Sequence, residues 1–154
     1  MTRITARNPS DARPLRVSRA EVPTAWTTIA EAPDFSVPDT SLTLPVRDPL
    51  DSGRGIRPGE VFFLTPLHCR NREGAAQWIE ARLLSGAGDA LLLHCVTVPA
   101  GDTVALPIQG QSLFKRDAES AGDRLQVRAQ FAGGFDVVGA AQERPANEHI
   151  GVTE

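Results

Sequence analysis

Proline is concentrated in the first part of the chain. Nine of the twelve prolines lie between Pro9 and Pro66, whereas ten of the thirteen glycines lie beyond Pro66. Each proline removes a backbone N–H donor and biases the preceding residue toward extended geometry, so long helices are not expected there. We therefore predict an extended, proline-rich N-terminal arm over residues 1–58, in which Thr24–Ala32 and Thr40–Val46 have some strand character.

From Glu60 onward, short strand patterns alternate with turns that contain glycine, asparagine or aspartate. The predicted strands lie within Glu60–Arg70, Ala75–Ser85, Ala90–Val98, Thr103–Gln109, Ala121–Phe131 and Phe135–Glu143. Regularly spaced short strands of this kind are typical of all-β sandwiches. The sequence thus predicts an antiparallel β-sandwich of jelly-roll or immunoglobulin-like type over residues 59–144, followed by a C-terminal tail at 145–154. The expected core residues are Leu91, Leu93, Val96, Leu125 and Val127.

Length and charge narrow the classes of protein to which the chain can belong. With 154 residues, one domain is expected. The net charge of −3 provides no overall basic surface for phosphates, so nucleic acid is not an expected partner. No apolar run approaches the roughly 20 residues of a membrane span, and the N-terminus lacks the apolar segment of a signal peptide. We expect a protein made in the cytosol that has no membrane partner.

Both cysteines directly follow a histidine, as His68-Cys69 and His94-Cys95. Adjacent side chains on a strand point to opposite faces, so neither pair is expected to bind a metal or to form a catalytic couple. If the strands form a meander, the cysteines lie about 10 Å apart, too far for a disulfide. Two reduced, largely buried thiols are therefore predicted, since free cysteine behaves as a small hydrophobic residue.

The start of the chain is locally basic. Its first twenty residues contain five arginines and a single acid, Asp11, which gives a local charge of 5 − 1 = +4. This arm could dock on an acidic neighbour or contact DNA, or it could be a solvated basic tail. Trp26 is expected to be a core or interface anchor. The candidate partner-binding residues are Arg3, Arg7, Arg13, Arg16, Arg19 and Trp26.

No pattern in the sequence points to catalysis or to a cofactor. The histidines, cysteines and carboxylates do not form a Ser-His-Asp, Cys-His or paired-carboxylate arrangement. The glycine pairs do not lie between a strand and a helix, as a phosphate-binding loop requires. The chain is therefore expected to be neither an enzyme nor a cofactor- or metal-binding protein.

Part of the chain resembles the small β-sandwich proteins encoded among the structural genes of tailed bacteriophages and gene transfer agents. The resemblance rests on the turn Pro99–Asp102, the strand Gly122–Ala129, the closing strand Asp136–Glu143 and the paired strands of Phe62–Leu84. It covers about residues 60 to 144.

The resemblance implies a virion component that is assembled in the host cytoplasm and binds other virion proteins as a homo-oligomer or in many copies. An adaptor associated with the tail, fibre or baseplate is the leading hypothesis, and a capsid decoration protein is the alternative within this class. The rival class is a receptor- or carbohydrate-binding module. Such a module would need an exposed aromatic platform, which Trp26, Trp78 and six phenylalanines would have to supply, because the chain has no tyrosine.

Overall fold

The computed structural model describes residues 12–36, 56–115 and 121–145, which form eleven β-strands and no helix. The described residues therefore contain no helix that could cross a membrane. The strands are β1 (Arg13–Arg19), β2 (Thr27–Glu31), β3 (Asp34–Ser36), β4 (Ile56–Phe63), β5 (Leu67–Asn71), β6 (Gln77–Leu84), β7 (Ala90–Val98), β8 (Thr103–Leu106), β9 (Ser112–Phe114), β10 (Arg124–Ala129) and β11 (Phe135–Pro145).

The strands form two antiparallel sheets. The seven-stranded sheet, here called the large sheet, runs in the order β3-β4-β11-β5-β8, with β1 paired to β11 and β9 paired to β4. The four-stranded sheet, here called the small sheet, has the order β2-β10-β6-β7. The predicted all-β, antiparallel sandwich class is confirmed.

The core lies between the two sheets, as the alternation of burial along the strands shows. In β10, Leu125, Val127 and Ala129 are buried, while Arg124 and Arg128 are partly exposed. The large sheet contributes the equally buried Val61, Phe63, Leu67, Phe135 and Val137. Full burial of such a side chain contributes about 1.5–3 kcal/mol, so this shared apolar layer holds the two sheets together.

The predicted boundary at residue 58 does not separate an arm from the sandwich. Residues 13–19 and 27–31 are extended, as expected, but β1 pairs with β11 along seven residues and β2 pairs with β10. Val17 and Val22 are buried in the shared core. Because Pro14 lies near the start of β1, and Pro23 and Pro33 lie between strands, these prolines are compatible with sheet pairing. Residues 1–11, the predicted strand at 40–46 and residues 146–154 lie outside the described residues.

Two further predictions from the sequence need correction. The run Glu60–Arg70 is not one strand, because β4 ends at Phe63 and β5 begins at Leu67, with Pro66 in the break. Leu91 is 61% exposed, because β7 lies at the edge of the small sheet. Leu93 and Val96 on the same strand are partly buried against the core, whereas Leu125 and Val127 are buried as predicted.

A buried amide network joins the two sheets at one end. The Nδ2 of Asn71 in β5 donates to the carbonyl oxygen of Val98 at 2.9 Å. The Nε2 of Gln77 in β6 donates to Oδ1 of Asn71 and to the carbonyl oxygen of Gly134, both at 2.8 Å. Gly134 has no room for a side chain, since an added Cβ would lie 2.1 Å from Gln77 Nε2. Both amide side chains are thereby satisfied in an interior where an unpaired polar group is costly.

Candidate functional site: an arginine–tryptophan surface on the small sheet

The outward face of the small sheet is polar and aromatic. Along β6, Gln77, Ile79 and Ala81 are buried, which turns the intervening side chains outward. Gln126 and Arg128 lie on the same face of the neighbouring β10. The arginine–tryptophan surface, as we call it, consists of Trp26, Trp78, Glu80, Arg82, Gln126 and Arg128.

Trp26 lies just before β2 and is contacted by two arginines from adjacent strands. The guanidinium carbon of Arg82 lies 4.3 Å from the centroid of the Trp26 ring, and that of Arg128 lies 4.6 Å from it. Arg128 also lies 5.8 Å from the ring centroid of Trp78. A cation–π contact at an exposed site is worth about 0.5–1 kcal/mol. The three side chains therefore hold one another in place on a solvent-facing sheet.

Hydrogen bonds fix the orientation of both guanidinium groups. Arg82 Nε donates to Gln126 Oε1 at 2.8 Å, and Gln126 Nε2 donates to Thr28 Oγ1 at 3.0 Å. Arg128 Nε donates to Glu80 Oε1 at 2.6 Å. Since each Nε is bonded within the sheet, the terminal nitrogens are the ones positioned to reach a ligand. A planar pair of N–H donors of this kind matches a carboxylate.

Cys95 borders this surface, on the residue of β7 that is in register with Glu80. It is exposed, so the prediction of two largely buried thiols is wrong for this residue. The pKa of Cys95 is raised by partial burial, then by a hydrogen bond to Glu80 and by the charge of Glu80, while Arg128 acts in the opposite direction. A raised pKa keeps the thiol protonated, the reverse of an activated nucleophile.

Cys69 has the opposite environment. It lies on β5 of the large sheet, is fully buried, and has its pKa raised to about 12 by that burial. His68 beside it is exposed, as the strand alternation predicts. The two cysteines belong to different sheets, so their strands do not form the meander that was considered for the disulfide. Both thiols are free. Among the described residues, no group of three or more potential ligands could hold a metal ion.

The candidate partner-binding residues are divided between the sheets. Arg13, Arg16 and Arg19 have exposed side chains on β1 of the large sheet, whereas Trp26 leads into the small sheet. Arg3 and Arg7 lie outside the described residues. The sequence reasoning missed Arg82 and Arg128 as partners of Trp26.

The signal that could have found these two arginines is the alternation of β6 and β10, which places arginine at outward positions. The two arginines contact Trp26 because β2, β10 and β6 are neighbours in the sheet, and this order of strands cannot be predicted from the pattern within each strand.

Comparisons with known proteins assign no family. No family model matches the chain, and no curated protein matches it. Among solved structures, a xylan-binding domain of carbohydrate-binding module family 22 is 10% identical, with 90% of this chain and 89% of that chain covered and a TM-score of 0.33. The C-terminal family 22 module of Clostridium thermocellum Xyn10B is also 10% identical, with 91% and 89% covered and a TM-score of 0.33. Similarity at this level carries no argument about function.

Proposed function

We propose that this chain is a non-enzymatic structural subunit of a tailed-phage or phage-like particle, associated with the tail, fibre or baseplate, and that it binds neighbouring virion proteins. The observation that supports this most is the arginine–tryptophan surface. Tryptophan and arginine are the residues that most often dominate the binding energy of protein interfaces. Here Trp78, Arg82 and Arg128 project from strands of the small sheet, and Trp26 packs against the two arginines from the segment before β2. The protein would take up its position in the virion during assembly in the host cytoplasm.

The stacked arginines are suited to an interface because they are ordered before a partner arrives. An exposed arginine that becomes fixed on binding loses side-chain entropy, which weakens the complex by about 0.5–1.5 kcal/mol. Arg82 and Arg128 are already held by Trp26 and by their Nε hydrogen bonds. An acidic side chain of a neighbouring subunit would therefore bind them at a lower entropic cost. The exposed arginines of β1 would add a second basic contact on the large sheet.

The absence of catalysis is part of the proposal. Cys95 is the exposed thiol beside the surface, and its pKa is shifted away from the range of a catalytic thiolate. Glu80 is bonded to Arg128 at 2.6 Å, as expected for a structural ion pair. Neither group is arranged as a nucleophile with a general base.

Incorporation into particles tests the proposal. In a phage or gene transfer agent that lacks this gene, complementation with Trp26→Ala or Arg82→Gln should give particles that contain much less of the protein than wild type. His68→Ala, an exposed change on the large sheet, serves as the control and should be incorporated normally. Circular dichroism of each purified variant checks that it is folded. Normal occupancy of both surface variants would contradict the proposed role of the surface.

A glycan-binding module is the second candidate, because the surface combines indole rings with arginine, glutamate and glutamine side chains. Sugars usually need an open aromatic face, and two guanidinium groups already lie over Trp26. Glycan-array binding that Trp26→Ala abolishes would favour this candidate.

Immunogold labelling of particles would distinguish a location in the tail from the alternative of capsid decoration.

A further inference from the structure

Three arginines occupy neighbouring outward positions on the small sheet. Gln126 of β10 is directly opposite Arg82 of β6, and Arg124 and Arg128 lie two residues before and after Gln126 on β10. Arg82 is therefore a diagonal neighbour of both other arginines on one face of the sheet, within the reach of long side chains. We call Arg82, Arg124 and Arg128 the arginine cluster.

Two arginines of the cluster have no carboxylate partner among the described residues. The Nε of Arg82 donates to the uncharged amide of Gln126. The guanidinium of Arg124 makes no hydrogen bond or ion pair with the described residues, and its Nε is buried without an acceptor. Glu31 is in register with Arg124 on β2 but forms no ion pair with it. The positive charges of Arg82 and Arg124 are therefore not neutralised within this part of the protein.

The face as a whole has an excess of positive charge. Its outward positions hold the three arginines of the cluster and two glutamates, Glu31 and Glu80, which gives 3 − 2 = +1. Glu80 is already bonded to Arg128 through its Nε at 2.6 Å. The excess therefore lies at the part of the cluster formed by Arg82 and Arg124.

The arginine cluster is packed against the sheet. Gln126 points outward, yet it is only 7% exposed, because the side chains around it cover it. Two of the guanidinium groups also lie over the same indole ring, that of Trp26. Like charges on neighbouring strands repel each other, and partly buried charges are screened less than exposed ones. A bound anion would relieve this repulsion.

We propose that the arginine cluster binds an extended acidic segment of a neighbouring protein, with one carboxylate on Arg82 and a second on Arg124. In an extended chain, alternate side chains point to the same side about 6–7 Å apart. This spacing is close to the roughly 7–8 Å between diagonal neighbours of a sheet. Each guanidinium can donate two parallel hydrogen bonds to a carboxylate. The inference rests on the proposed function for the identity of the neighbour as a virion protein.

Nucleic acid is a less suitable ligand for the same cluster. The chain has a net charge of −3, and Glu31 and Glu80 lie on the same face as the arginines. A long phosphate backbone would meet these carboxylates as well as the arginines, whereas two carboxylates of a peptide need only the two guanidinium groups.

A nuclear magnetic resonance titration of the full chain tests the proposal with two synthetic peptides of the same composition. Each peptide has two glutamates in a threonine-rich sequence, separated by one residue in the first peptide and adjacent in the second. The first peptide presents both carboxylates on one side of an extended chain, whereas the second presents them on opposite sides. The first should bind more tightly, shift the amide signals of β6 and β10, and lose affinity as salt is added.

Variants of the cluster locate the bound peptide. Arg82→Gln should weaken binding of the first peptide about tenfold or more, because a charge-assisted hydrogen bond is lost. Arg124→Met should weaken it similarly while the unfolding midpoint stays close to wild type, since the Arg124 guanidinium makes no bond with the described residues. Arg70→Gln is the matched control, because Arg70 is an exposed arginine on β5 of the large sheet. It should bind the peptide as wild type does.

Three results would overturn the proposal: no binding by wild type, equal binding of the two peptides, or unchanged binding by either variant of the cluster. Tighter binding of a single-stranded oligonucleotide than of the first peptide at the same salt concentration would also overturn it, since phosphate would then be the preferred anion. Incorporation of Trp26→Ala remains a separate test. Peptide binding with normal incorporation would contradict the proposed function alone, and lost incorporation without peptide binding would contradict the acidic ligand alone.

Discussion

Burial of Cys69 predicts an alkaline loss of stability that can be assigned to one thiol. The side chain is fully buried, and its pKa in the folded protein is raised from 9.0 to about 12. In the unfolded chain the thiol ionises near its ordinary value. Between these two pKa values the unfolded state therefore binds fewer protons than the folded state, and stability falls as pH rises. The contribution is fully present below about pH 9 and is lost progressively toward pH 12.

The expected size follows from the pKa difference. At pH 10.5 the unfolded thiol is about 1.5 pH units above its pKa while the folded thiol is still protonated, which corresponds to a loss of about 2 kcal/mol relative to pH 8. Tyrosine does not contribute to this difference, because the chain has none, and Cys95 is the only other thiol.

Urea unfolding at pH 8 and pH 10.5 measures the effect by comparing wild type with Cys69→Ala. The substitution removes the same sulfur contacts at both pH values, but only wild type also carries the buried thiol, so the stability difference between wild type and variant should become smaller at pH 10.5. Wild type should lose about 2 kcal/mol more than the variant between the two conditions. Cys95→Ser should keep most of this difference. If wild type and Cys69→Ala lose stability in parallel, the thiol is not shielded as the structure requires, and the reasoning fails.

Three further changes have defined outcomes. Leu125→Ala, at a fully buried position, should cost about 2–5 kcal/mol in urea unfolding; a loss below about 1 kcal/mol would contradict the burial of β10. Gln77→Ala removes the acceptor for Phe131 N and the donor to Gly134 O, and should lower the free energy of unfolding by at least about 1–3 kcal/mol. An unchanged free energy of unfolding would show that the network does not stabilise the fold. Glu80→Gln should lower the pKa of Cys95 and speed its alkylation near pH 8, whereas an unchanged rate would exclude the influence of Glu80.

Most of the strands after residue 60 could be predicted because their signals are local, although β9 and the break between β4 and β5 were missed. β10 alternates apolar and polar residues, β11 follows a glycine pair, and the Pro99–Asp102 segment closes with a hydrogen bond from Asp102 N to Pro99 O at 3.1 Å. Such patterns depend on residues close together in sequence. The presence and type of these strands therefore followed from the chain itself.

The N-terminal strands could not be placed in the same way. β1 is rich in arginine and begins next to Pro14, so its own pattern does not resemble a core strand. It becomes part of the sandwich because β11, which is eleven residues long, offers seven of them in register with it. Only Leu15 and Val17 of β1 face the core, and Val17 alone is buried. A short apolar stretch between exposed arginines predicts a strand only weakly. The strand forms because the segment pairs with β11, which is distant in sequence.

The two His-Cys pairs show most clearly what local sequence leaves open. Both lie on strands with apolar neighbours, yet Cys69 is fully buried and Cys95 is exposed. The difference arises from the face of the sheet on which each thiol lies. Cys69 is on the inward face of β5 together with the buried Leu67 and Asn71, and desolvation raises its pKa. Cys95 is in register with Glu80 on the outward face of the small sheet, beside the arginine–tryptophan surface, while His94 is in register with the buried Ala81. Which residue of each dipeptide faces the core depends on the pairing of the strands, which the dipeptide itself does not contain.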